Sequence, residues 1–238
     1  MNSDAKFRIT SIESIRGGSC CSVFKCLGQK NTKKYSIIIK FCGEGLMTRL
    51  ILPNVVRDYL NVRQKTIRTG VKVPRLYGFI LRDTNIYSED EVIPLMDLKT
   101  LCASIKKVCY LGIIEEYTGT SIRDSIMDNT LSINSPLLGA ARSFIRTLPT
   151  DIPLDTNPGN ITVQGNALHF IDFIPPDPWK YRQDKKIRHD LEAAFPTTRP
   201  LWDDDDKKKR YFDSESRVTR FNYYLNKVYM LSTQPNFR

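Results

Sequence analysis

The chain has 238 residues, 41% of them hydrophobic and 26% charged, enough to build one compact unit or two small lobes around a real core. Its apolar runs, such as Ser36–Ile39 and Leu50–Leu52, fall far short of the ~20 residues a bilayer crossing needs, so no transmembrane helix is expected. A formal net charge of +10 favours an acidic partner, a protein surface ahead of nucleic acid or anionic headgroups.

Met1–Arg8 has neither an apolar run nor a small-residue cleavage site, and no Sec-type leader is expected. Six cysteines (Cys20, Cys21, Cys26, Cys42, Cys102, Cys109) lack paired C-x-x-C spacing, and only two histidines could assist a metal site. Reduced thiols and a cytoplasmic setting are expected. Between residues 7 and 41, three strand-like segments separated by Gly and polar clusters predict an antiparallel meander. Leu52, Val55, Val56, Tyr59, Leu60 and Ile67 then recur at helical spacing, with Pro53 in a first turn and Gly70 placed to stop the helix. Leu76–Leu81 and Val108–Ile114 read as two further strands, with a short helix between them over 94–107.

From Ser121 onward the pattern turns helical, interrupted by a hairpin that pairs Ile161–Val163 with Leu168–Ile171 around Gln164-Gly165-Asn166. The last 55 residues read as charged helices, with Phe221, Tyr224, Leu225, Val228 and Tyr229 on one apolar face. The block Asp203–Arg210 reads as a solvated loop or helix start, acidic residues preceding basic ones. His169, on a strand, and His189, on a charged helix, are expected to be structural or solvated.

Phosphoryl transfer asks a protein to hold phosphates, to fix a divalent ion with hard oxygen ligands, and to orient the attacking hydroxyl. Asp155 followed five residues later by Asn160, and then Asp172 after the hairpin, supplies the last two in the order a kinase catalytic loop uses. In that reading Asp155 faces the acceptor hydroxyl, and Asn160 and Asp172 converge on Mg²⁺. Asp172 lies between Ile171 and Phe173, where an uncompensated carboxylate is costly and a cation supplies the compensation.

Leu154-Asp-Thr-Asn-Pro-Gly-Asn-Ile161, with Ile171-Asp-Phe173, resembles the catalytic segments of aminoglycoside-phosphotransferase-like kinases and of the minimal Ser/Thr effector kinases of bacterial pathogens. The resemblance implies an α+β, two-lobed protein-kinase-like fold. Its N-lobe, residues 1–117, would hold a five-stranded antiparallel sheet plus one helix, and its truncated helical C-lobe would be residues 118–238. It implies ATP and Mg²⁺ as cofactors, a monomeric Ser/Thr protein kinase without an activation loop, and action in the cytoplasm or after delivery into a host cytosol. Gly17 and Gly18 then match the glycine-rich loop, Val23 the valine above adenine, and Lys40 the strand lysine reaching the α- and β-phosphates. Ile114 takes the gatekeeper place, while Glu115 offers a carbonyl and Tyr117 an amide to adenine.

The sequence departs from the pattern in three places. Residues 46–69 contain no glutamate to pair with Lys40, and Asp58 is the best substitute, with Asn61 and Gln64 behind it. Pro153 stands where the family has His, and Asn157 where it has a phosphate-contacting Lys or His. No Gly follows Phe173, and no Ala-Pro-Glu follows later. Two alternatives accompany the protein kinase: a small-molecule or RNA kinase, suggested by the Pro158-Gly159-Asn160 loop, and a pseudokinase binding module, suggested by the missing helix glutamate.

Overall fold

The computed structural model describes residues 8–15, 21–42, 46–81, 85–88, 111–173 and 211–234. The chain divides into two compact units, Met1–Leu52 with Pro74–Tyr117, and Pro53–Val73 with Thr118–Arg238. One division lies between Tyr117 and Thr118. The segment Pro53–Val73 differs from expectation, since it groups with the later residues. No helix among the described residues is long and apolar enough to cross a membrane.

The first unit is built on a fully antiparallel sheet of β1 (Arg8–Ile15), β2 (Cys21–Lys30), β3 (Lys33–Cys42), β4 (Leu76–Leu81), β5 (Asn85–Ser88) and β6 (Leu111–Glu116). The strand order is β1-β2-β3-β6-β4-β5. All five expected strands lie in it, and β5 adds a sixth at the edge. β2 and β3 join through Asn31-Thr32, where Asn31 takes φ 55, a left-handed conformation that Asn tolerates better than most residues. The β-branched run Ile37–Ile39 is buried on both faces, which suits its place inside the sheet.

Helix α1 (Leu46–Arg68) starts six residues before the expected Leu52, so Pro53 lies inside it and not in its first turn. Proline there removes one backbone donor from the helix ladder, and the division between the two units falls at this residue. In the second unit, α1 buries Tyr59, Val62 and Thr66, spaced i, i+3 and i+7. Ile67, expected on the apolar face, is 43% exposed, because the buried stripe runs through Thr66 instead. Gly70, at φ +79, follows the helix end as expected.

The rest of the second unit comprises β7 (Thr120–Ser121), α2 (Ile122–Met127), α3 (Pro136–Thr147), β8 (Ile161–Gln164), β9 (Ala167–Phe170) and α4 (Ser214–Ser232), with β7-β8-β9 forming a small antiparallel sheet. Each helix has a sequence-encoded start. Ser121 accepts from the Asp124 amide at 3.0 Å, Ser135 precedes Pro136 in the first turn of α3, and Asp213 accepts from the Ser216 amide at 2.7 Å. The β8–β9 hairpin turns at Gly165, φ +59, as a two-residue connection requires.

Helix α4 buries Val218, Phe221, Leu225 and Val228. Tyr224 is half-buried and Tyr229 is 42% exposed, so the apolar face is narrower than the sequence implied. Arg146–Glu215 at 2.6 Å and Arg142–Asn222 at 2.8 Å tie α3 to α4. The expected helix over 94–107, the Asp203–Arg210 block and His189 lie outside the described residues.

Candidate active site

The segment joining α3 to β8 folds around its own polar side chains. Asn157 caps a single 3-10 turn, Pro158–Asn160, by accepting from the Gly159 amide at 2.9 Å, and Pro158 contributes a preset φ at the first position. Asp155 Oδ1 accepts from the Asn157 amide at 3.2 Å. The turn brings Asn160 back over the loop, where its Nδ2 donates to the Asp155 carbonyl at 2.9 Å and to Asp172 Oδ2 at 3.0 Å. The Ile171 amide closes the ring by donating to the Asn160 carbonyl at 3.0 Å. Asp155, Asn160 and Asp172, separated by up to 17 positions, thus form one hydrogen-bonded cluster.

Asp172 is held in place from both sides. Its neighbour Phe173 is 1% exposed and meets Tyr59 of α1 and Phe170 of β9 edge-on, each with centroids 5.5 Å apart. Phe170 donates its amide to the Lys72 carbonyl just beyond α1. The aromatic cluster therefore fixes the backbone on one side of Asp172, and the Asn160 amide fixes its carboxylate on the other.

Helix α4 supplies two arginines that sequence reasoning missed. Arg217 has no exposed surface, and its guanidinium donates to the carbonyls of Tyr211 and Ile152 at 2.7 Å each and of Leu148 at 3.4 Å. Burial pushes it down to about 10, against the opposing pull of Asp213 and Asp151. Its carbonyl accepts from buried Thr156 in the loop at 3.0 Å. Arg220, one turn on, places Nε 3.0 Å from Asp155 Oδ1. Its position on an amphipathic helix 65 residues downstream carries no motif, so only the fold reveals it.

In the first unit, Lys40 Nζ lies 2.7 Å from Glu115 Oε2, with side chains 13% and 1% exposed. Glu115, on a neighbouring strand of the same sheet, is thus a carboxylate partner of Lys40, and Asp58, the partner expected from sequence, lies 3.6 Å from Arg57 within α1. Strand register explains the pairing. Lys40 is opposite Val23 on β2 and Ile113 on β6, and Ile38 is opposite Lys25 and Glu115. Since side chains alternate, Val23, Ile38, Lys40, Ile113 and Glu115 share one face of the sheet.

Register and hydrogen bonding place the three residues expected beside adenine. Ile114 pairs with Ile39 and faces away from Lys40, whereas Ile113 and Glu115 lie on the lysine's face. Glu115 is flanked by β3 and β4, and its carboxylate pairs with Lys40. The Tyr117 amide, expected to face adenine, donates to the Ser36 carbonyl at 2.9 Å. Val23 stays on the lysine's face, directly opposite it. Gly17 and Gly18 lie outside the described residues.

Among the described residues there is no cluster of three or more His, Cys, Asp or Glu able to cage a metal. The donor set at the loop is of another kind. With Asn160 Nδ2 committed as a donor, its Oδ1 and the Asp172 carboxylate are two hard oxygens on one ring of hydrogen bonds. This set fits Mg²⁺, which ordinarily takes one or two protein oxygens and completes its shell with phosphates and water. No protein-family model matches the chain, and no curated protein matches it.

Proposed function

We propose that the chain is a minimal protein-kinase-like phosphotransferase that moves the γ-phosphate of ATP, with Mg²⁺, to Ser/Thr hydroxyls of a partner protein. The observation that carries this reading is the Asn160 amide, which ties the Asp155 backbone to the Asp172 carboxylate within 3.0 Å. That contact supports a reading in which the D-x-x-x-x-N…D spacing supplies a carboxylate for the acceptor and two candidate metal oxygens.

Asp155 has a division of labour between its oxygens. Oδ1 is held by the Asn157 amide and Arg220, whereas Oδ2 receives no hydrogen bond from any described residue. Oδ2 is therefore the oxygen available to accept from an incoming hydroxyl and aim its lone pair at the γ-phosphorus. As the new O–P bond forms, the bond to the β–γ bridging oxygen breaks, and ADP leaves with that electron pair. The hydroxyl proton passes to the transferred phosphoryl group and then to solvent. Asn160 Oδ1 and Asp172 would hold Mg²⁺, which would supply charge neutralisation of the phosphates.

Lys40 is the residue proposed for the α- and β-phosphates, with Val23 and Ile38 on its sheet face offering apolar contact to adenine. An acidic protein surface is the partner that the net charge of +10 best complements. Transfer of labelled phosphate from ATP to protein, lost in Asp155→Ala and Asp172→Ala, tests the proposal.

A further inference from the structure

The geometry points to Arg220 as the positioning residue for Asp155: it locks Oδ1 so that Oδ2 alone is presented to the acceptor hydroxyl. The inference rests on the phosphotransferase reading and adds to it a residue from outside the catalytic loop. Arg220 Nε is 3.0 Å from Asp155 Oδ1, and the two side chains are only 15% and 25% exposed. The guanidinium is itself held flat. The Tyr211 ring lies 4.8 Å from Cζ and the Tyr224 ring 4.9 Å, Tyr224 being one turn further along α4. Burial works against the Arg220 charge, but the Asp155 hydrogen bond and charge, with the two tyrosines, outweigh it and raise the group above its ordinary value.

The bracket is continuous with the loop. The Tyr211 carbonyl accepts from the Leu154 amide at 3.0 Å, immediately before Asp155, and from Arg217 Nε at 2.7 Å. Backbone and carboxylate of Asp155 are thus referenced to the same stretch, Tyr211–Tyr224. With Oδ1 receiving both the Asn157 amide and Arg220, rotation of the carboxylate would break two hydrogen bonds at once. With Oδ1 held by two donors, the carboxylate plane is fixed and Oδ2 is presented in one direction, which suits the task of orienting a hydroxyl. Misplacing a reacting group by about 1 Å can cost ~10²-fold in rate.

The test uses the full chain as wild type, Arg220→Ala, Arg220→Gln and Arg220→Lys. The probes are Mg·ATP with a Ser/Thr peptide mixture of randomised flanks, and Mg·ATP alone for hydrolysis; thermal melts are recorded for every variant. The expected result is a kcat lower by about 10²-fold in the Ala and Gln variants with KM for ATP unchanged. Arg220→Lys should lie between, and guanidinium at non-denaturing concentration should partly restore Arg220→Ala. If Arg220→Ala does not fold, the Gln and Lys variants decide. Unchanged kcat in folded variants, or activity that merely tracks the folded fraction, would overturn the role of Arg220 and leave the phosphotransferase standing. A wild type that neither binds nor turns over Mg·ATP would overturn both.

Discussion

Glu115 Oε2 lies 2.7 Å from Lys40 Nζ, so the lysine proposed to hold ATP phosphates is paired with a carboxylate from its own sheet. A nearly buried pair of this kind is costly to break from one side, because the remaining charge is left in a poor solvent. Glu115→Leu is expected to destabilise the protein by about 3 kcal/mol. The double variant Lys40→Met/Glu115→Leu, which removes both charges and keeps volume, should regain most of that loss. Denaturant melts of the four-protein cycle check the coupling, and additive losses would show that the pair is not energetically linked.

Arg217 satisfies three backbone carbonyls with no exposed surface of its own. Arg217→Ala removes all these donors from a buried site and should cost roughly 3 kcal/mol or more, with the loop around Asp155 loosening first. Arg217→Lys should be milder, since an ammonium can reach some of the carbonyls without matching the guanidinium fork. Hydrogen exchange at Leu154 and Thr156 reads the local effect.

At Gly119, φ is +96, and a Cβ there would lie 1.9 Å from the Val163 carbonyl oxygen. This close approach is where β7 meets β8, beside the 2.8 Å hydrogen bond between Thr118 and Thr162. Gly119→Ala combines backbone strain with a backbone clash, and is expected to cost ~2 kcal/mol or more. Gly139, with no atom within 4 Å of its missing Cβ, should accept Ala in helix α3 with a gain of up to about 1 kcal/mol.

Three exposed carboxylates should shape the acid limb of stability. Hydrogen bonds from Lys65 to Asp151, from the Ser216 amide to Asp213, and from Arg146 to Glu215 hold these groups below their ordinary values of 3.8, 3.8 and 4.5. Folded values below unfolded ones give stability that is present above the ordinary values and lost as pH falls through the lower ones. Thermal melts should be flat down to about pH 5 and decline below it, modestly, because solvent screens all three. A decline beginning near neutrality would contradict this assignment.

Local chemistry makes part of this structure legible in the sequence. Gly70, the Gly165 hairpin, the strand segments and the Asp155–Asn160–Asp172 spacing are readable because each depends on residues near one another in the chain. The role of Glu115 is not, because it depends on β3–β6 register, and a shift of one residue exchanges Glu115 for Ile114 on the lysine's face. Arg217 and Arg220 look like the polar side of an amphipathic helix until the fold places α4 against the loop. The start of α1 is hidden because Pro53 reads as a first-turn residue, whereas the helix continues through it.

The ring of hydrogen bonds joining Asp155, Asn160 and Asp172 is, on the proposed function, a phosphoryl-transfer centre. Mass spectrometry of a susceptible cell lysate incubated with the chain, Mg²⁺ and γ-¹⁸O-labelled ATP tests it most directly, with Asp172→Ala as the matched control. The expected result is labelled Ser/Thr phosphorylation by wild type that disappears in the control while the melting profile stays folded. Equal labelling by both proteins, or none by wild type together with no Mg²⁺-dependent ATP binding, would contradict it.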